Sequence, residues 1–370
     1  MSRNSLSFFC KNHFTVNPDM GYEEMSRLAT EAGFTLKDTT YRVYRSQHGT
    51  PARRRSTSTP VAVATPVAEL PAQPIHSAVA MPLDLPEDLK SFFDPPKIDK
   101  SHVVNEELVA LFDAVNKASD LEPQNVRLTG PAGCGKTTTA MEFAARYGRP
   151  LLVMDCPNVR EPRDWFGYKD IDEKGLIKWH KSLFYRFVQT PNAVIVLDEI
   201  NRLNPLIVNT LLPLLDGRRQ TYLEESGEKI VVGKGVVFFS TTNEGREFTG
   251  TIQLDLAQAD RLCTKVECTY LQEKDESKLL NDRTSLDSES CKKLVQVANH
   301  VRRKYMSDTG DSFTQNISTR MLLNAAQKMH LGGAKTLRYT LLSHFSDDGK
   351  EGSERAQLLK LLQGKFGPIM

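Results

Sequence analysis

From about residue 100 onward, apolar residues recur in two alternating patterns. Val103 to Ala118 and Thr137 to Tyr147 keep the spacing of helices with one face on a core, whereas Asn125 to Thr129, Pro150 to Asp155, Asn192 to Leu197 and Val236 to Ser240 are short apolar runs. Runs of that length and density belong to strands covered on both faces. Their alternation with helices predicts an α/β fold in which a parallel sheet is sandwiched by helices. Asn204 followed by Pro205 provides an N-cap and a first helical residue, and Leu203, Ile207, Leu211 and Leu214 repeat along one face of the helix so begun. Beyond about 265 the strand-like runs cease, and helical spacing around 291–305, 318–331 and 335–345 predicts a small all-helical domain. The division read from this pattern is an α/β domain over 87–265, a helical domain over 266–350 and a C-terminal tail over 351–370.

Ahead of these lies a different kind of chain. Residues 51–86 carry Pro51, Pro60, Pro66, Pro71, Pro74, Pro82 and Pro86 amid alanine, valine, serine and threonine, without helical or strand period, which predicts a semi-extended linker. In 1–50, Tyr22, Met25, Leu28, Ala29 and Ala32 at helical spacing, followed by Gly33, predict a helix over 21–32, and Thr40 to Tyr44 predict an edge strand, together a small α+β module. Arg42, Arg45, Arg53, Arg54 and Arg55 lie in a stretch without acids and admit two readings: contacts to nucleic-acid phosphates, or a solvated edge running into a linker.

Composition narrows the classes. The 370 residues are 39% hydrophobic and 25% charged, and 48 basic against 46 acidic side chains leave +2, so no field over the whole molecule points to nucleic acid or a membrane surface. No run is long and apolar enough to span a bilayer, and the first residues lack the succession of a secretory signal, so the expected location is the cytoplasm, with no membrane partner. Cys10, Cys134, Cys156, Cys263, Cys268 and Cys291 form no CxxC pair and no cluster with histidine, so the spacing indicates neither a zinc site nor a redox dithiol.

The chemistry concentrates at three strand ends. Gly130-Pro131-Ala132-Gly133-Cys134-Gly135-Lys136-Thr137 fits GxxxxGK[ST] between a strand and a helix. Glycines let successive backbone N–H groups turn toward anionic phosphates, and the helix N-terminus adds partial positive charge. These residues, with Thr138 behind them, form the candidate binding loop for ATP: Lys136 reaches the β and γ phosphates, and the Thr137 hydroxyl serves Mg²⁺. The run Val194 to Leu197 ends in Asp198 and Glu199, which a parallel sheet delivers to its ligand-binding edge. Asp198 is the second candidate Mg²⁺ ligand, and Glu199 the candidate base for the attacking water. Asn243, after the strand Val236 to Ser240, is placed to bond the γ-phosphate or that water; taken alone it is more often a turn former, and its order after the first two motifs tips the balance.

With these motifs in order, the chain resembles the AAA+ ATPases, and its wording resembles the MoxR/CbbQ branch, which includes the CobS subunit of cobaltochelatase and the dynein-related group. The matching text is the loop at 130, Leu-Asp-Glu-Ile-Asn-Arg at 197–202, Leu-Leu-Pro-Leu-Leu-Asp-Gly-Arg at 211–218, Ser-Thr-Thr-Asn at 240, Ala-Asp-Arg-Leu at 259–262 and Ile-Ser-Thr-Arg at 317–320; it covers about 100–345. The resemblance implies a homo-oligomeric ring, a hexamer, in which Arg261 enters the neighbouring subunit's site and Arg320 reaches the nucleotide from a helical lid. It raises the same question of action in trans for Arg202. It implies two pore-facing hairpins, over 165–179 and 220–232; Lys181-Ser182-Leu183 stands where the branch usually has Gly-Pro-Leu. Trp165 and Phe166 are open between gripping a polypeptide at the pore and packing against the sheet. The implied activity is ATP-driven remodelling of a protein, with a von Willebrand factor A-domain partner. Two further classes stay open: a nucleic-acid motor or restriction-type NTPase, and a nucleotide-gated scaffold without turnover.

Overall fold

Each of the four apolar runs becomes a strand of one five-stranded parallel sheet, in the spatial order 151–155, 194–198, 237–243, 124–130 and 264–267, in the computed structural model of the chain. The structure describes residues 22–31, 87–171, 173–243, 256–262, 264–305, 313–347 and 352–369. The chain divides into two units, 1–59 and 60–370. In the first, α1 (Tyr22–Glu31) realises the expected helix, with Met25 and Ala29 buried. The strand expected at 40–44, the arginines at 42–55, the linker over 51–86, Cys10 and Cys263 lie outside the described residues.

In the second unit, α2 (Glu106–Ala118) starts where the Asn105 carboxamide accepts the Leu108 N–H at 2.8 Å, a few residues later than the apolar spacing alone indicates. Then follow β1 (Gln124–Gly130), α3 (Lys136–Arg146) and β2 (Leu151–Asp155). The hairpin β3 (Gly167–Ile171) and β4 (Ile177–Lys181) leads into α4 (Leu183–Gln189) and β5 (Val194–Asp198). Next come α5 (Pro205–Leu215), the hairpin β6 (Gln220–Leu223) and β7 (Glu228–Val231), β8 (Val237–Asn243), α6 (Leu256–Arg261) and β9 (Thr264–Glu267). Register sets Gly130 beside Asn243, Leu197 beside Ser240 and Asp155 beside Asp198, so the sheet's carboxyl edge carries the end of every motif strand.

Apolar layers cover both faces. Phe112, Phe143 and Phe239 meet edge-on or tilted on one face, with ring centroids 5.3 Å apart for Phe112 and Phe143 and 5.1 Å for Phe143 and Phe239. On the other, Trp165 packs 4.9 Å from Phe184 among Phe187, Ile195, Leu197 and Phe238. Trp165 and Phe166 are both buried, which decides their open reading for packing: they anchor the root of the β3–β4 hairpin, whose exposed apolar residues are Tyr168, Ile171, Leu176 and Ile177. Among the described residues no helix is long and apolar enough to cross a membrane.

The helical part has its own core, built by α7 (Glu273–Thr284), α8 (Ser288–Tyr305), α9 (Thr319–Gly332) and α10 (Glu354–Phe366). Two expectations change here. Residues 335–345 form no single helix but the short turns Ala334–Thr336, Leu337–Thr340 and Leu342–His344. Thr336, Thr340 and Ser343 hydroxyls there bond back to the carbonyls of Gly333, Thr336 and Tyr339. The segment read as a C-terminal tail holds α10, capped by Ser353 and carrying Leu358 and Leu362 into the same core as α8 and α9.

A buried ion pair ties this core together. Glu276, 0% exposed, and Arg302, 7% exposed, meet through two bonds of 2.7 and 2.9 Å. The Thr319 hydroxyl donates to the same carboxylate at 2.6 Å, Arg302 Nε donates to the Ile317 carbonyl at 2.9 Å, and the guanidinium lies 3.8 Å from the Tyr270 ring centre. Removing one partner of such a pair strands a charge in the interior. Arg302→Ala is therefore expected to cost about 3 kcal/mol of unfolding free energy in urea titration, and the double change Glu276→Gln with Arg302→Met to recover most of it. An Arg302→Ala protein with the parental urea midpoint would contradict this account of the lid.

Candidate active site

The loop between β1 and α3 turns on three glycines with positive φ: Gly130 at 150°, Gly133 at 65° and Gly135 at 96°. At Gly130 the space is already taken, since a Cβ there would lie 2.2 Å from the Cys268 carbonyl oxygen. At Gly133 a Cβ would come within 2.9 Å of Ser318 Cβ, the N-cap residue of α9. The loop is thus packed directly against the start of a lid helix. Lys136, the first residue of α3, is buried and donates from Nζ to the carbonyls of Gly130 at 2.9 Å and Pro131 at 2.8 Å. Its ammonium is held in the concave side of its own loop.

The carboxylates stand opposite. Asp198 Oδ1 accepts two hydroxyl bonds, from Thr137 at 2.8 Å and Thr241 at 2.6 Å, and Thr241 Oγ1 in turn accepts the Glu199 N–H at 2.8 Å. Glu199 leaves β5 in the left-handed region, with φ 54° and ψ 44°, a conformation uncommon for a residue with a side chain. The turn swings its carboxylate onto Asn243, whose Nδ2 donates to Oε1 at 2.7 Å, and onto Arg202, whose Nε pairs with Oε2 at 2.8 Å. Asn201 Nδ2 donates to the Asn243 carbonyl at 3.0 Å, so the last residue of β8 is held from both ends.

Ala132, Gly133, Gly135, Lys136, Thr137, Thr138, Asp198, Glu199, Asn243 and Arg320, all read from the sequence as site residues, surround one cavity of about 110 Å³ together with Thr241. A second cavity of about 280 Å³ adjoins it, sharing Gly133, Gly135, Thr138 and Arg320. Its further walls are His102 and Val103 ahead of α2, Cys134 of the loop, Cys268 and Leu271 beyond β9, and Arg283 and Leu323 of the lid. Burial pulls the His102 imidazole down to about 4, so near neutral pH it is uncharged. Arg283 donates to the Asp99 carboxylate and, at 2.7 Å, to Ser101 Oγ, fastening α7 to the segment that carries His102.

Arg261 is not at this cavity. It ends α6 half-buried, with Nε 3.7 Å from the Asp216 carboxylate, and its carbonyl accepts Asn125 Nδ2 at 2.7 Å. Arg202 touches Glu199 of its own chain. Sequence reading missed Thr241, although strand alternation carries the signal: two positions before Asn243 on β8, it points to the same side of the sheet. No periodicity marks His102 or Cys268, which reach the second cavity through loops.

The donor set suits the groups implied by the loop. Thr137, Asp198 and Thr241 bring hydroxyl and carboxylate oxygens together, the hard oxygen donors that Mg²⁺ takes, and a glycine-lined backbone beside a buried ammonium suits a polyphosphate.

Comparison with known proteins agrees with this geometry. Residues 125–262 match the profile of the AAA domain, dynein-related subfamily, and residues 276–359 that of the CbbQ/NirQ/NorQ C-terminal region. BssE of Thauera aromatica, which carries the name of a chaperone, is 32% identical over 65% of this chain and 81% of its own. NorQ of Paracoccus denitrificans is 27% identical over 60% of this chain and 78% of its own, and CbbQ of Hydrogenophilus thermoluteolus 25% identical over 60% and 80%.

Proposed function

The chain belongs to the CbbQ/NirQ/NorQ-type AAA+ ATPases, and from that premise we propose that it hydrolyses Mg-ATP in a homo-oligomeric ring, a hexamer, to remodel a partner protein. The observation that carries the site assignment is the meeting of Lys136, Thr137, Asp198, Glu199, Asn243 and Arg320 around one cavity at the sheet's carboxyl edge. Lys136 exchanges its two carbonyl partners for phosphate oxygens of ATP, and the loop amides from 130 to 137 bind the same group. A magnesium ion held by Thr137 and Asp198 would neutralise phosphate charge and polarise the terminal phosphoryl. Glu199 orients the attacking water and takes its proton, with Asn243 and Arg202 setting the direction of the carboxylate. Arg320 contacts the nucleotide from the lid, and the cavity beside the loop receives the nucleoside.

A chaperone's name on one relative supports a protein as the object of the work, and the resemblance to the MoxR/CbbQ branch carries the further proposal of a von Willebrand factor A-domain protein as cofactor. The exposed Tyr168, Ile171, Leu176 and Ile177 of the β3–β4 hairpin are apolar enough to grip a polypeptide at the pore, and the β6–β7 hairpin is the second pore element. The site is tested by calorimetric titration of ATP with Mg²⁺. Lys136→Ala removes a charge-assisted bond and is expected to weaken binding by roughly 10- to 100-fold. Parental affinity in Lys136→Ala would remove the phosphate role from this loop.

A further inference from the structure

Cys134 and Cys268 are far apart in sequence and carry no spacing motif, yet they line the same cavity, where each thiol shifts the other's affinity for its proton. Both are half-buried and free. The Cys268 backbone is fixed at the start of the loop that carries Cys134: its N–H donates to the Thr129 carbonyl at 2.7 Å, and its Cβ lies 3.3 Å from the position of a Cβ on Gly130. Cys268 belongs to the connector between β9 and α7, the stretch through which the sheet domain joins the lid. Tyr270 of the same connector donates to the Ala132 carbonyl at 3.0 Å. The phosphate loop and the connector to the helical part therefore lie side by side, each carrying one of the two cysteines.

We propose that Cys134 and Cys268 form an intramolecular disulfide under a peroxide oxidant, and that this bond arrests the ATP site by tying the loop to the connector between β9 and α7.

The environment supports Cys134 as the attacking sulfur. The Cys268 thiol, the Lys136 charge and the backbone N–H groups of Lys136 and Cys134 draw the Cys134 thiol down to about 7 against burial, while Cys268 is pushed up. The Cys134 thiolate attacks one peroxide oxygen, the O–O bond breaks, and with one proton taken up the products are the sulfenic acid and water. The Cys268 thiol then attacks the Cys134 sulfur, the S–O bond breaks, and a second water leaves with the thiol proton. In sum, two thiols and hydrogen peroxide give one disulfide and two waters. A thiol reductant reverses the bond, so the device is a switch and not a lesion.

The inference rests on the nucleotide reading of this cavity, so the experiment separates the two. The reduced full chain is treated with hydrogen peroxide and digested without reductant, and the peptides are weighed, while ATP hydrolysis and binding are measured before oxidation, after it and after dithiothreitol. The expected result is a Cys134–Cys268 linked peptide, a fall in hydrolysis of about tenfold or more, and recovery with dithiothreitol. In Cys268→Ser the linked peptide is absent, and the ratio of oxidised to reduced rate, taken within that variant, returns toward one. Linkage only through Cys10, Cys156, Cys263 or Cys291, conversion of Cys134 only to sulfinic acid, or a Cys134–Cys268 bond with undiminished hydrolysis would each overturn the proposal. Failure of the reduced protein to bind ATP would instead sink the nucleotide reading and leave the disulfide to be judged by mass alone.

Discussion

Arg261→Ala is expected to bind ATP within about threefold of the parental affinity while kcat in the assembled ring falls by about 10³-fold or more. The reason is geometric. Arg261 is not among the residues around either cavity of its own chain; it ends α6 beside Asp216, with its backbone fixed by Asn125. In the ring proposed above this side chain acts on hydrolysis from a second subunit, where its charge meets the transferring phosphoryl. The measurement has a second arm. Mixing Arg261→Ala with Glu199→Gln creates interfaces that contain both an intact Glu199 and an intact Arg261, and part of the lost activity is expected to return. Parental kcat in Arg261→Ala alone would remove the role in trans.

Glu199→Gln is expected to lower single-turnover hydrolysis by about 10²- to 10⁴-fold with ATP still bound. Glutamine preserves the shape that the left-handed backbone presents, and its carbonyl oxygen can still accept from Asn243 as Glu199 Oε1 does. What it loses is the capacity to take a proton and, on the other side of the group, the acceptor for Arg202 Nε. The phosphate cradle and the Thr137–Asp198 pair are untouched, so binding and turnover separate cleanly in this variant. Hydrolysis at the parental rate would make Glu199 a structural acid and reassign the base.

The parts of this site legible in sequence share one property: their local pattern and their role coincide. An unbroken apolar run has to be covered on both faces, so Val194 to Leu197 announces a central strand, and the two acids after it have nowhere to go but the sheet's edge. The glycine loop is legible because positive φ and close backbone approach leave glycine little alternative at 130, 133 and 135. Trp165 was ambiguous because a pore and a core ask for the same aromatic surface, and only the neighbourhood of Phe184 decides. Residues 335–345 have apolar spacing close to helical but run as three short turns, a break that hydrophobic pattern does not register. The β1–β9 register, with Thr129 beside Glu267, brings Cys268 to the start of the loop that holds Cys134, and no short-range rule encodes that approach.

The ammonium of Lys136 sits on two peptide oxygens of the arch it belongs to. Any incoming oxyanion takes over bonds that already exist, so its advantage is the difference between a charged acceptor and a neutral one, on the order of a doubling in strength per contact. Recognition here is therefore a contest between acceptors. Uncharged mimics of a triphosphate have nothing to win it with, and each added negative charge on a rival improves its standing.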